Sequence, residues 1–266
     1  MYPTGGYGNF LYYLLSEHLE STVKSKSADW EFSDNGNSHN YPKHVEKFQL
    51  GSHVRNRTTK NFDYTYNIID PTVEQQIQQG KKFLVLADVG NTGDNIKFLK
   101  RYFPNSTIVR VFAENFIEKL ILWANCMTKS TADLRNDLYP GSIMPANGIA
   151  IWANKSVDDV NDNDAIGCMV NFFQRDFDVY GKFFNRPVDD AINIPISSFF
   201  SQDSIYKVLN TIAHDLDTQV VDTLNLEPTV LEFLNHQSQL SLLDPDATSF
   251  PLVRRALAQY ENTHHV

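Results

Sequence analysis

The sequence predicts an α/β fold built on a parallel sheet, and three observations carry that prediction. Phe83-Leu84-Val85-Leu86-Ala87 is an unbroken apolar run of strand length, as expected of a strand buried on both faces. Thr107 to Phe112 forms a second strand candidate. Each is followed by a segment of helical character, Asn95 to Phe103 and then Asn115 to about Lys129, where Phe116, Ile117, Leu120, Ile121, Ala124 and Met127 fall on one face. Strand, helix, strand, helix at this spacing requires crossovers, and crossovers pair strands in parallel.

The remaining elements follow in chain order. A glycine-rich turn opens a first helix with Phe10, Leu11, Leu14, Leu15, His18 and Leu19 on one side. Glu20 to about Asn40 is polar and turn-rich, as expected of a loop or a broken helix. Lys47 to Gly51 is a short strand candidate, and Pro71 opens a helix carrying Val73 and Ile77. Residues from about 130 to 190 are irregular, with an acidic turn from Asp158 to Asp164 and an aromatic stretch from Phe172 to Phe184. Ala191 to Ile196 is a late strand leading into a helix with Ile205, Val208, Leu209, Ile212 and Leu216. A last helix holds Val230, Leu231, Phe233 and Leu234, and the tail from Asp244 to Val266 is weakly patterned. There is no internal repeat and no linker, so residues 1–266 are expected to form one domain.

Composition narrows the class. Hydrophobic residues make up 42% and aromatics 12% of 266 residues, enough for a packed core and incompatible with disorder. Lys and Arg number 23 against 32 Asp and Glu, a net charge of −9, so the overall field attracts neither nucleic acid nor an anionic membrane. Two cysteines, Cys126 and Cys168, build no disulfide framework and lie in no metal-ligand spacing. No apolar run has the length of a membrane span, and Met1 onward lacks the basic and small-residue features of a signal peptide. The sequons at Asn56, Asn105 and Asn154 are then incidental, and a cytoplasmic location is expected.

Three segments could carry chemistry. Pro3-Thr4-Gly5-Gly6-Tyr7-Gly8-Asn9-Phe10 runs straight into a helix. Glycines let backbone N–H groups converge on an anion with a helix N-terminus behind them; the alternative is an ordinary turn. It is not a Walker A loop, because no Lys-Ser/Thr follows. His53 stands just past a strand candidate with Arg55 and Arg57 beyond it, where parallel-sheet enzymes place catalytic groups. Its ordinary pKa suits a general base near neutrality, and the alternative is a surface histidine. Asp88-Val89-Gly90-Asn91-Thr92-Gly93-Asp94 resembles the phosphate turn of actin-like sugar and pantothenate kinases, but reads more simply as a strand-to-helix loop with Asp94 as cap. Asp158, Asp159, Asp162 and Asp164 lack the glycine and terminal Glu of a calcium loop.

The order of these pieces resembles the sulfotransferase family, especially its small, divergent members from marine viruses and bacteria. Pro3 and Gly6 fit the frame of that family's Pro-Lys-Ser-Gly-Thr-Thr-Trp loop, with Gly5 to Phe10 as loop and helix start, and Leu50-Gly51-Ser52-His53-Val54 resembles its Lys-Thr-His-Leu-Pro segment. Thr4 and Gly51 stand where the family has lysines, Arg110 lies inside its strand rather than at the end, and Arg254-Arg255 is the only stand-in for a C-terminal Arg-Lys-Gly segment.

The resemblance implies a three-layer P-loop-like fold with a central, mainly parallel sheet flanked by helices. It implies transfer of a sulfuryl group from 3′-phosphoadenosine 5′-phosphosulfate (PAPS) to a hydroxyl or amine of a small-molecule or glycan acceptor, without a metal. His53 would be the base. Thr4, Gly5, Gly6, Tyr7, Gly8 and Asn9 would hold the 5′-phosphosulfate, with Arg55 or Arg57 replacing the missing lysine charge. The stretch from about 130 to 190 would shape the acceptor side, and a viral member would work in its host's cytoplasm. Two other readings stay open: a degenerate nucleotide fold that only binds partners, and a Mg-ATP-dependent kinase using the Gly90 to Asp94 turn.

Overall fold

The computed structural model describes residues 7–20, 49–50, 79, 86–87, 107–128, 138–175, 187, 189, 191–221, 223–244, 246 and 248–264. Its elements are α1 (Gly8–His18), β1 (Gln49–Leu50), β2 (Leu86–Ala87), β3 (Ile108–Phe112), α2 (Phe116–Thr128), α3 (Ala146–Ala153), α4 (Asp162–Arg175), β4 (Ala191–Pro195), α5 (Gln202–Asp215), α6 (Thr223–Asn235) and α7 (Pro251–His264). Among the described residues the chain is mixed helix and strand, mostly helical, with the strands in two parallel pairs. β1 pairs with β2 in the register Gln49–Leu86, and β3 with β4 in the register Ile108–Ala191 through Phe112–Pro195.

β3 is buried along most of its length, with Ile108, Arg110, Val111 and Phe112 all inside, the pattern of a parallel strand covered on both faces. β4 ends at Pro195, and the chain tightens at once into a 3₁₀ turn, Ile196–Phe199. Ser201 then caps α5, its Oγ accepting the Ser204 N–H at 3.3 Å. α1 packs against β2 and α6, and its core face is Phe10, Leu11, Leu14 and Leu15. Phe10 stacks on Phe233 of α6 with parallel rings.

The stretch expected to be irregular contains two helices. α4 carries Ala165, Ile166, Met169, Val170, Phe172 and Phe173 on its buried side. The acidic run is its entry: the Asn161 Oδ1 accepts the Asp164 N–H at 3.2 Å, and Asp162 and Asp164 occupy the first turn, where negative charge complements the helix dipole. The weakly patterned tail also becomes a helix. α7 opens on Pro251, which has no N–H to lose there, and buries Leu252, Val253 and Ala256 against α4. Phe116 of α2, Phe173 of α4 and Tyr260 of α7 form an aromatic trio with ring centroids 5.3 to 6.0 Å apart. Of the apolar residues of the last expected helix, Val230 and Phe233 are fully buried and Leu231 is 42% exposed. The expected helices at Pro71 and Asn95 to Phe103 lie outside the described residues.

Candidate functional site

The glycine-rich segment delivers the chain into α1 through Tyr7, which holds φ 56° and ψ 15° in the left-handed region. Helical Gly8 follows directly. A left-handed residue followed by a helical one turns successive backbone N–H groups toward one side, the concavity that binds anions, and the helix N-terminus adds partial positive charge. Tyr7 at the N-cap makes no side-chain capping hydrogen bond.

A tyrosine in this backbone region costs about 1–3 kcal/mol, and the surroundings of Tyr7 offset it. Its ring is fully buried between Phe199, 5.4 Å away, and Phe233, 5.3 Å away edge-on. Phe199 ends the 3₁₀ turn after β4. The Tyr7–Phe199 contact therefore sets the start of α1 beside the carboxyl end of the β3–β4 pair, the edge where open α/β sheets bind their ligands. Burial pushes the Tyr7 phenol well above its ordinary pKa of 10.0, and nearby Asn125 of α2 offsets only part of that rise. Its hydroxyl has no partner in hydrogen-bonding geometry among the described residues.

The same edge carries a buried carboxylate. Glu118, in the first turn of α2, accepts the Glu114 N–H at 2.7 Å and the Asn115 Nδ2–H at 3.3 Å, while its own N–H donates to Asn115 Oδ1 at 2.9 Å. Burial raises its pKa, and hydrogen bonds from the Glu114 backbone and from Ser197 oppose the rise. Ser197 belongs to the 3₁₀ turn after β4, so Glu118 links the two strand ends. Sequence reasoning passed over Glu118. The signal was present, because Asn115-x-x-Glu118 before an apolar run has the spacing of a capping box. Arg110 is buried within β3 opposite Asn193, and burial lowers its pKa.

Of the residues singled out from sequence, the structure brings Tyr7, Gly8 and the Asn9 backbone to this edge. Thr4, Gly5, Gly6, His53, Arg55, Arg57 and the Gly90 to Asp94 turn lie outside the described residues. β1 ends at Leu50, three positions before His53 in the sequence, and it is a parallel strand. The acidic run holds cations from the chain itself: Lys155 Nζ lies 2.7 Å from Asp164, and Arg255 lies 3.9 Å from Asp162. Among the described residues no cluster of His, Cys, Asp and Glu has the makings of a metal site. Arg254 donates to the carbonyls of Ser241 and Asp244, which ties it to the fold. No helix among the described residues is long and apolar enough to cross a membrane. The chain matches no protein-family model, no curated protein and no solved structure.

Proposed function

We propose that the chain is a sulfotransferase-like enzyme that moves a sulfuryl group from PAPS to a hydroxyl or amine of a small-molecule or glycan acceptor, on a three-layer P-loop-like fold. The observation that carries this reading is the Tyr7–Gly8 turn. It sets the start of α1, which Gly5 and Gly6 precede in the sequence, beside the carboxyl end of a parallel strand pair. The parallel pairing of β1 adds support, because His53 follows three positions after that strand ends.

In this reading the backbone amides of Gly5, Gly6, Tyr7 and Gly8 hold the 5′-phosphosulfate, flanked by Thr4 and Asn9, and Arg55 or Arg57 adds positive charge. The bond between sulfur and the bridging phosphate oxygen breaks as the acceptor's oxygen or nitrogen bonds to sulfur. His53 takes the acceptor proton, and 3′,5′-adenosine bisphosphate leaves. Such in-line transfer is catalysed by positioning and electrostatics, and a well-placed base contributes roughly 10²–10⁴-fold.

Thermal unfolding with 3′,5′-adenosine bisphosphate, Mg-ATP and AMP tests the reading. At about 100 times its Kd, a ligand specific for the native state adds ~2.7 kcal/mol, a rise of several degrees in Tm for a domain of this size. A rise with the bisphosphate alone is the expected result. A rise with Mg-ATP alone would transfer the assignment to a kinase, and no rise with any nucleotide would leave a non-catalytic nucleotide fold.

A further inference from the structure

Most apolar side chains of the helical half face inward, but the junction of α3 and α4 turns three of them outward. Ile151 is 83% exposed, Trp152 44% and Val157 46%. Ile151 and Trp152 end α3, and Val157 begins the 3₁₀ turn Val157–Asp159 that packs against it. The ridge is held in shape. Asn154, left-handed at φ 53°, closes α3 with its N–H on Ile151 O at 3.3 Å, and the Lys155 N–H reaches Ala150 O at 3.0 Å. Trp152 seats its ring edge over Gly167 of α4, where even a Cβ would come within 2.7 Å of the indole.

Among the described residues, the charges left unpaired around this ridge are acidic. Lys155 is neutralised by Asp164 at 2.7 Å, and Asp162 faces Arg255 at 3.9 Å. Asp158 and Asp159 are exposed beside Val157 and have no cationic partner among the described residues; Asp159 only accepts from Ser156 Oγ. An exposed, fixed tryptophan with apolar neighbours and a charged rim is the anatomy of a binding hot spot. The acidic rim repels both an anionic bilayer and a second copy of this chain, whose net charge is −9.

We propose that the Ile151–Trp152–Val157 ridge docks a basic polypeptide segment of a partner protein, an apolar side chain of which covers Trp152 while its lysines or arginines meet Asp158 and Asp159. This surface is inferred without recourse to the nucleotide reading proposed above.

The full chain is titrated with a synthetic amphipathic peptide of leucine and lysine, with Trp152 followed by the NMR signal of its indole N–H. Saturable one-to-one binding that weakens with salt is expected. Trp152→Ala weakens it about thirtyfold, the loss expected of an aromatic anchor. Ile151→Ser, which removes no core contact, weakens it about tenfold, and Asp158→Asn with Asp159→Asn flattens the salt dependence. Absence of binding, or equal affinity in wild type and Ile151→Ser, overturns the proposal. So does equal binding of a leucine–glutamate peptide. Occupation of the ridge by phosphatidylcholine–phosphatidylglycerol vesicles, or Ile151-dependent self-association in sedimentation, would overturn it in favour of a membrane or a second copy.

Discussion

The carboxylate of Glu118 accepts the backbone N–H of Glu114 at 2.7 Å, four residues back across the corner between β3 and α2. The N–H belongs to a corner that must leave the sheet and start a helix within a few residues, and Glu118 is almost entirely buried there. Replacing it by Ala strands the donors and removes half of the capping box, at a cost of ~1–3 kcal/mol in denaturant unfolding. Glu118→Gln keeps the shape and costs less.

Burial raises the Glu118 pKa above its ordinary 4.5, so the folded chain retains a proton that the unfolded chain releases. The stability this contributes is complete below that ordinary value and is lost as pH rises through the raised one. The stability difference between wild type and Glu118→Gln should therefore shift against the wild type across that window and then level off. A pH-independent difference would show that Glu118 titrates normally.

Gly141 holds φ 73°, and a Cβ there would lie 2.9 Å from two ring carbons of Pro251. Its carbonyl also accepts the Leu252 N–H at 3.0 Å. Gly141→Ala combines backbone strain with a collision against the first turn of α7 and should cost ~1–3 kcal/mol. Hydrogen exchange should rise first in α7; unchanged protection there would separate the turn from the docking of that helix.

The Cys168 thiol is buried in α4 and pushed up to about 11 by burial. In a Cys126→Ser background it should resist an aromatic disulfide reagent at neutral pH, because thiolate is the nucleophile. Reactivity should appear with unfolding. Rapid labelling of the native chain would contradict the packing around Met169 and Phe172.

His53→Ala should abolish sulfuryl transfer while leaving 3′,5′-adenosine bisphosphate affinity nearly intact, measured by calorimetry beside a turnover assay. Gly6→Val should do the reverse in binding, since a β-branched side chain keeps the backbone from the phosphate. Equal turnover in His53→Ala assigns the proton to another group, and unchanged affinity in Gly6→Val reduces the glycine segment to a turn.

Legibility in the sequence followed the physics of each segment. β3, α2 and α5 were readable because each has either a doubly buried apolar run or one apolar stripe. α3 was not: Ala146-Asn-Gly-Ile-Ala-Ile-Trp-Ala153 shows no polar face to alternate with, since it both packs on α4 and exposes Ile151. α4 had its stripe, from Ala165 to Phe173, but the aspartates that serve its first turn read as a loop. α7 hides a modest stripe of Leu252, Val253 and Ala256 among exposed polar residues. At the candidate site the glycines announced a turn, yet the part of Tyr7 as a buried anchor depends on Phe199 and Phe233, which are distant in sequence.

One small junction bears on how the chain is made. Leu19 pairs with Val220, the Val221 N–H reaches His18 O at 2.8 Å, and Thr218 Oγ1 donates to the carbonyl of Glu20, 198 residues away in sequence. Phe10 likewise waits for Phe233. Within this chain α1 is synthesised roughly 200 residues before α6, so the part of its apolar face that Phe233 covers waits for that helix to be made. The Leu19–Val220 and Phe10–Phe233 contacts therefore form by closure of a loop of about 200 residues, a slow, non-local step.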